Sequence, residues 1–387
     1  MISTAISTMR GWWGLASARR ATTAFLLSRF ALMALVLVVA TVRGVGAETH
    51  PLADGIWWID RFSYWDSYHL IRIAESGYFE PGRACCDQAW FPGHPLVLRM
   101  LGPVFDGHTA LAGIAVTLAA GSVAAWALWK VLRRDHPTWV AGRGVWLLIA
   151  APYGVFLVAV YTEAVWLAGA LLAWLAASRG RWWWAGLAAC VTTATRVNGL
   201  FLLAGLVVLY AVSLRRAHTR PGWEVGALAL PLVPPAAYVV WLQGQTGSWD
   251  AWREAQALGW QRHTMTPWGS MTHQIGEIAA AHSGALALTR SLDLLVVIGG
   301  IGVVLVLLWR REWAELAFLV PSVGVILTTS TYDSAGRYAL TWFPVYLTLA
   351  RESVHRRGRV AYAVAIGLGA ALLVPLTNLF AQRQWIG

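Results

Sequence analysis

Charge is scarce in this chain. Asp, Glu, Lys and Arg make up 13% of its 387 residues, about half the share of an ordinary soluble domain. Hydrophobic residues make up 58% and the mean hydropathy is +0.55. That balance excludes a soluble globular class and defines a polytopic, all-α membrane protein. Lysine is nearly absent: of 30 basic residues only Lys130 is not arginine. The formal net charge is +11, but the arginines stand in short clusters between apolar runs. This is the pattern of topology signals, and without a basic stripe no nucleic-acid partner is expected. Cysteine is down to three residues. Cys85 and Cys86 are adjacent and Cys190 lies in an apolar run, which excludes a disulfide scaffold or a zinc-site spacing. The adjacent pair fits a vicinal disulfide and two free thiols equally well. HExxH, DxD, GxGxxG and P-loop patterns are missing too, so nucleotide-driven chemistry has no support and neither a metal nor another cofactor is expected. No internal repeat or low-complexity tail is present.

Apolar segments fill the rest. A span needs roughly 20 predominantly apolar residues, and the candidates are 21–44, 108–132, 142–159, 163–178, 182–197, 199–214, 224–242, 285–309, 313–330, 338–350 and 360–380. These predict about eleven transmembrane helices in one integral-membrane domain covering 1–387. Arg10, Arg19 and Arg20 ahead of the first run imitate a signal peptide, but 21–42 is too long for its apolar core, and a retained first helix is expected. Arg19/Arg20, Lys130/Arg133/Arg134, Arg179/Arg181, Arg215/Arg216/Arg220, Arg310/Arg311 and Arg351/Arg356/Arg357/Arg359 fall at alternate ends of the spans. The positive-inside rule then predicts a cytoplasmic N-terminus and an extracytoplasmic C-terminus. The abundance of Arg, Trp and Ala matches the coding bias of a high-GC bacterium, which makes the bacterial plasma membrane the expected location. Two long loops, 44–107 and 243–284, fall on the outer face. Both are rich in aromatic residues, and each contains an amphipathic stretch suited to an interfacial helix, 63–74 and 248–263.

The candidate functional residues gather on that outer face. Trp65 to Leu98, WDSYHLIRIAESGYFEPGRACCDQAWFPGHPLVL, concentrates charged, aromatic, proline and glycine residues. Asp66 sits there between aromatics, where a desolvated carboxylate can serve as a general base; the bland alternative is a partner for Arg61 or Arg72. His69, three residues on, is placed to share a helix face with Asp66 or to be an ordinary interfacial histidine. Glu163 follows Tyr161 and Thr162 at an outer turn, and Pro152 interrupts the helix before it. A carboxylate beside a span is a functional candidate, with a turn cap as its bland reading. Arg196 and Asn198 lie in TATRVNGLF. Arg196 is an anion contact or a snorkelling side chain. Arg337 in TYDSAGRYALTWFP is suited to a bidentate phosphate grip or to a pair with Asp333.

Taken together these segments resemble the phosphatidylinositol-glycan class V mannosyltransferases, especially their bacterial relatives, within the C-type glycosyltransferase superfamily. Four blocks carry the likeness in family order from about residue 57 onward: RFSYWDSYHLIRIAESGY with AWFPGHPLVLRML, APYGVFLVAVYTEAVW with ATRVNG, TGSWDAWREAQALGWQR, and SAGRYALTWFPVYLTLA with LFAQRQWIG. His94 and the insert from Arg83 to Asp87 depart from the family pattern and bear on the acceptor contacts. The resemblance implies inverting transfer of a sugar, with mannose expected, from a polyprenyl-phosphate donor to an acceptor hydroxyl on the extracytoplasmic face. Glucose, galactofuranose and arabinose stay open as donor sugars. So does the acceptor: a phosphatidylinositol mannoside, another glycolipid, a glycan end or a protein hydroxyl. In that scheme Asp66 is the base, and Arg337 and Arg196 hold the donor phosphate. Glu163, His69, Trp65, Tyr68, Trp90, Phe91, Asn198 and Tyr338 form the substrate surface. The partners implied are the lipid-linked donor, its acceptor and the surrounding membrane lipids. A lipid-linked sugar flippase or secondary transporter is the alternative, although transporters favour repeats and polar residues at the membrane midplane.

Overall fold

The computed structural model describes residues 15–45, 55–80 and 86–387. Among them every regular element is a helix, and the single β-feature is an isolated bridge between Thr264 and Thr329. Six helical stretches are long and apolar enough to cross a membrane: Ala18–Val42 (α1), Thr109–Asp135, Gly199–Ala217, Trp223–Thr246, Gly284–Arg310 and Arg356–Ala381 (α17). Thr138–Ile149, Glu163–Ala177 and Trp313–Leu327 are shorter apolar helices. The protein is therefore an all-α, multi-pass membrane protein. Its central packing joins Thr109–Asp135 to Glu163–Ala177, and Glu163–Ala177 to Trp182–Thr195. Small residues let these backbones close up, as is usual between helices in lipid. A Cβ on Gly121, for example, would lie 2.7 Å from the Phe25 ring of α1.

Two of the expected spans are broken, and each break positions site residues. The expected helix 142–159 ends at Ile149 and resumes as a 3-10 turn at Gly154–Leu157. Pro152 has no N–H to continue the ladder. The carbonyls left open there are taken by Arg29 of α1, whose Nη2 donates to Ile149 O at 2.6 Å and Nη1 to Gly154 O at 2.7 Å. Arg29 is fully buried, so an arginine in an apolar span acts as a staple for irregular backbone. Arg29→Met is expected to strand two buried acceptors and lower stability by about 2 kcal/mol or more, measured as thermal unfolding in detergent; an unchanged melting profile would refute the staple. The expected helix 338–350 divides into Ala335–Ala339 and Phe343–Glu352, which puts Arg337 on a one-turn helix of its own.

Among the described residues the two long loops are mostly helical. The first carries Trp57–Asp60, Asp66–Ser76 (α3), a 3-10 turn at Asp87–Ala89 and Gly93–Leu101; the second carries Ala251–Trp260 (α11) and Pro267–Ala279. They clamp one another. Trp252 Nε1 and Gln256 Nε2 donate to Ala89 O at 3.1 and 3.2 Å, and Tyr238 Oη donates to Gln88 O at 2.8 Å. Cys86 is disulfide-bonded and Cys190 is free. Cys85, with Arg83 and Ala84 of the insert and Arg10 of the topology argument, lies outside the described residues.

Candidate functional site

Asp66 is the first residue of α3. The open N–H groups and dipole of a helix start favour a carboxylate there. The residue before it, Trp65, is held at φ +52°, a left-handed backbone rarely adopted by a bulky residue. Packing sustains it: the Trp65 ring meets Phe380 at 5.4 Å, Trp385 at 5.4 Å and Tyr64 at 5.5 Å. The same device recurs nearby. Ser334, at φ +74°, precedes the helix that carries Arg337, and Cys86, at φ +99°, precedes Asp87. Backbone strain of this kind persists where the surroundings over-determine it, often at functional sites.

Arg337 joins the two carboxylates. Its Nη1 donates to Asp66 Oδ2 at 2.5 Å, and its Nε lies 3.2 Å from Glu163 Oε1. Arg196 Nη1 donates to the same Glu163 oxygen at 2.6 Å. The result is an alternating row, Asp66–Arg337–Glu163–Arg196. The side chains of Arg337 and Glu163 are only 3% and 1% exposed, so buried charge is balanced by opposite charge, as burial requires. Asp66 pairs with neither Arg61 nor Arg72, and Arg337 does not pair with Asp333. Tyr338 lies against the row, with Arg196 Cζ 4.7 Å from its ring centre and Arg262 Nη1 donating to its Oη at 3.3 Å. Arg262 also reaches the Asp333 carbonyl at 3.5 Å and pairs with no carboxylate among the described residues. It is the least committed cation of the cluster.

Asp66 opens onto a cavity of about 420 Å3 lined by Ser63, Trp65, Asp66, Tyr68, His69, Trp260 and Trp385. One titratable face and three indole walls suit a polyol, which stacks its C–H faces on aromatic rings and presents its hydroxyls to a carboxylate. Of the residues singled out in the sequence, Asp66, His69, Trp65 and Tyr68 meet at this cavity. Arg337, Arg196, Glu163 and Tyr338 form the charged row behind it. Trp90 stacks on His69 at 5.6 Å from outside the lining. Phe91 is placed elsewhere, in an apolar cluster with Tyr238, Leu242 and Ala251. Asn198 precedes the helix Gly199–Ala217, and its Oδ1 is buried without a hydrogen bond. His94 is fully buried with both ring nitrogens unpartnered, and burial pulls its imidazole down to about 4 against the raising effect of Glu163.

Five contributors escaped the sequence reading, Arg262 among them. Asp293, buried in Gly284–Arg310, accepts the Gly336 backbone N–H at 2.8 Å and so anchors the short helix of Arg337. Gly336 must be glycine, since a Cβ there would collide with the Tyr153 ring. A carboxylate inside an apolar span was a usable signal for Asp293. Trp260 and Trp385 gave none beyond being aromatic. Asp87 belongs to the insert that set the first loop apart. Among the described residues, no group of three His, Cys, Asp or Glu side chains is placed to hold a metal ion.

No protein-family profile matches the chain, and no curated protein matches it in sequence. Among solved structures, the crystal structure of the Archaeoglobus fulgidus oligosaccharyltransferase in the apo form is similar with a TM-score of 0.47 and 13% identity, over 92% of this chain and 56% of that one. The complex of the same protein with zinc and sulfate gives 0.41 and 12%, over 90% and 52%. The chain thus spans about half the length of the structures it matches, and the chemistry of the site rests on its own geometry.

Proposed function

We propose that the protein is an inverting, C-type glycosyltransferase that moves a sugar, with mannose expected, from a polyprenyl-phosphate donor to an acceptor hydroxyl at the extracytoplasmic face of a bacterial plasma membrane. The observation that carries this reading is the placement of Asp66, a carboxylate on an aromatic-walled cavity backed by a row of arginines. The four sequence blocks that resemble class V mannosyltransferases support it, because they supply the cavity and the row together. In the proposed step the acceptor oxygen bonds to the anomeric carbon from the side opposite the phosphate. Its proton passes to the Asp66 carboxylate, the anomeric carbon–oxygen bond breaks, and the electron pair leaves with the polyprenyl phosphate. Arg337 and Arg196 already serve carboxylates in the row, and Arg262, which pairs with no carboxylate among the described residues, adds a donor set able to take up the phosphate charge.

The test uses membranes containing the full chain, supplied with radiolabelled polyprenyl-phosphate mannose and a panel of glycolipid, glycan and peptide acceptors. Label appearing in a glycosidic product in the parent supports transfer. Label that crosses the bilayer with no new glycosidic bond would replace the enzyme by a flippase.

A further inference from the structure

The wall of the cavity beside Asp66 carries a second polar group whose orientation is fixed from behind. Asp87, on the 3-10 turn, is 3% exposed. Arg72 grips it with both arms of its guanidinium, Nε donating to Oδ2 at 3.0 Å and Nη2 donating to Oδ1. His69 Nδ1 lies 2.9 Å from the same Oδ1. Burial pushes the Asp87 carboxyl up, but the hydrogen bonds from His69 and Arg72 outweigh it and hold the group below the usual carboxylate range. An ionised carboxylate only accepts hydrogen bonds. With Asp87 Oδ1 at 2.9 Å and the Arg72 Nη2 contact longer at 3.4 Å, the tautomer that satisfies this geometry carries its proton on Nδ1 and keeps a lone pair on Nε2. Aromatic contacts hold the ring as well: Trp90 stacks on it at 5.6 Å and 22°, and Trp260, itself 5.8 Å from Trp90, stands 6.2 Å away. The turn that supplies Asp87 is itself clamped by α11 through the hydrogen bonds to Ala89 O and by Tyr238, in the helix Val233–Thr246, through Gln88 O.

His69 and Asp66 are three residues apart on α3 and line one cavity. We infer that this wall is the acceptor subsite, and that the acceptor is a carbohydrate or cyclitol ring with two neighbouring hydroxyls rather than a lone serine or threonine hydroxyl. The inference rests on the transfer reading above and narrows its substrate. One hydroxyl meets Asp66 and gives up its proton during transfer; its neighbour donates a hydrogen bond to His69 Nε2. The ring's C–H face lies on an indole, Trp260 being the one that touches both His69 and Trp90. Asp87 and Arg72 are positioning residues that act through His69. A single amino-acid hydroxyl fills one of these contacts and leaves an oriented lone pair and an aromatic wall unused.

The experiment compares octyl α-mannopyranoside and a serine/threonine peptide as acceptors, with labelled polyprenyl-phosphate mannose as donor and the full chain in nanodiscs. The glycoside is expected to be used at least tenfold more efficiently than the peptide. Asp87→Asn is expected to raise the KM for the glycoside roughly tenfold, the worth of one oriented hydrogen bond, with a much smaller change in kcat and in the KM for the donor. His69→Ala is expected to do the same, and His69→Gln, whose amide oxygen accepts a hydrogen bond, to recover part of the loss. Nitrogen-15 NMR of labelled histidine supplies a readout that needs no turnover. The resonance missing from His69→Gln should show the Nδ1–H tautomer in the parent, lose it in Asp87→Asn, and shift at Nε2 on adding octyl mannoside. Equal use of the peptide, an unchanged glycoside KM in both Asp87→Asn and His69→Ala, or a proton on Nε2 in the parent would overturn the inference while loss of transfer in Asp66→Asn left the enzyme reading standing. Conversely, an Nε2 shift with the glycoside in a protein that forms no product would keep the carbohydrate subsite and remove the transferase.

Discussion

Asp66→Asn is expected to lower the rate of sugar transfer about a thousandfold, within the range for loss of a positioned general base, while the protein stays folded. The change is isosteric, and the remaining amide oxygen can still accept the hydrogen bond that Arg337 Nη1 now gives Asp66 Oδ2. What disappears is the ability to hold the acceptor proton. Arg337 keeps Glu163, shared with Arg196, as a counter-charge 3.2 Å away, so it retains a carboxylate partner although the row loses one negative charge. Transfer rate and thermal unfolding measured on one preparation separate the two effects. Full activity with unchanged melting would eliminate Asp66 as the proton acceptor, and lost activity with a collapsed melting transition would show that the carboxylate serves structure instead.

Arg337→Met should be the more damaging substitution for stability. Removing the guanidinium leaves Asp66, whose side chain is 11% exposed, without a counter-charge and facing Glu163, which keeps only Arg196. Breaking a buried charge network by deleting one member typically costs about 3–5 kcal/mol, because the survivors stay desolvated and unpaired. Arg337→Lys is not expected to rescue it: a single ammonium lacks the planar fork that serves Asp66 through Nη1 and Glu163 through Nε. Adding Asp66→Asn to Arg337→Met should recover much of the lost stability but no transfer, since the orphaned carboxylate is gone and the site lacks both base and central cation. Unfolding midpoints and transfer rates for the single and double variants make the comparison. A stable, active Arg337→Met protein would show that the row is ornamental.

Hydropathy made the helices legible where they run unbroken, as in Ala18–Val42 or Gly284–Arg310. Pro152 marked the interruption after Ile149, but the one around Thr341 had no such sign, and a count of apolar residues does not register that the carbonyls beyond Ile149 have a donor waiting in Arg29. The site was legible as chemistry and illegible as geometry. Asp66, Glu163, Arg196 and Arg337 each stood out as a charge in an apolar setting. Yet Arg337 and Asp66 are 271 residues apart and Arg196 and Glu163 are 33 apart, so local spacing pointed instead to Arg61, Arg72 and Asp333 as partners. Phe91 looked like its neighbour Trp90, but alternate side chains on that turn leave by different sides, and one packs on His69 while the other joins Tyr238. Asp87 was hidden for another reason: its importance lies in holding a histidine, and nothing in the order of residues states which histidine a distant carboxylate will meet.

The placement of Trp385 reaches back to biosynthesis. This indole lines the cavity from a segment that follows α17, and Trp65 leans on both it and Phe380. A nascent chain in which α17 has not yet docked presents Asp66 and His69 in a half-open trough. The chamber closes only when α17 docks, so under the proposed function the lipid-linked donor would meet a complete site only once that helix is in place.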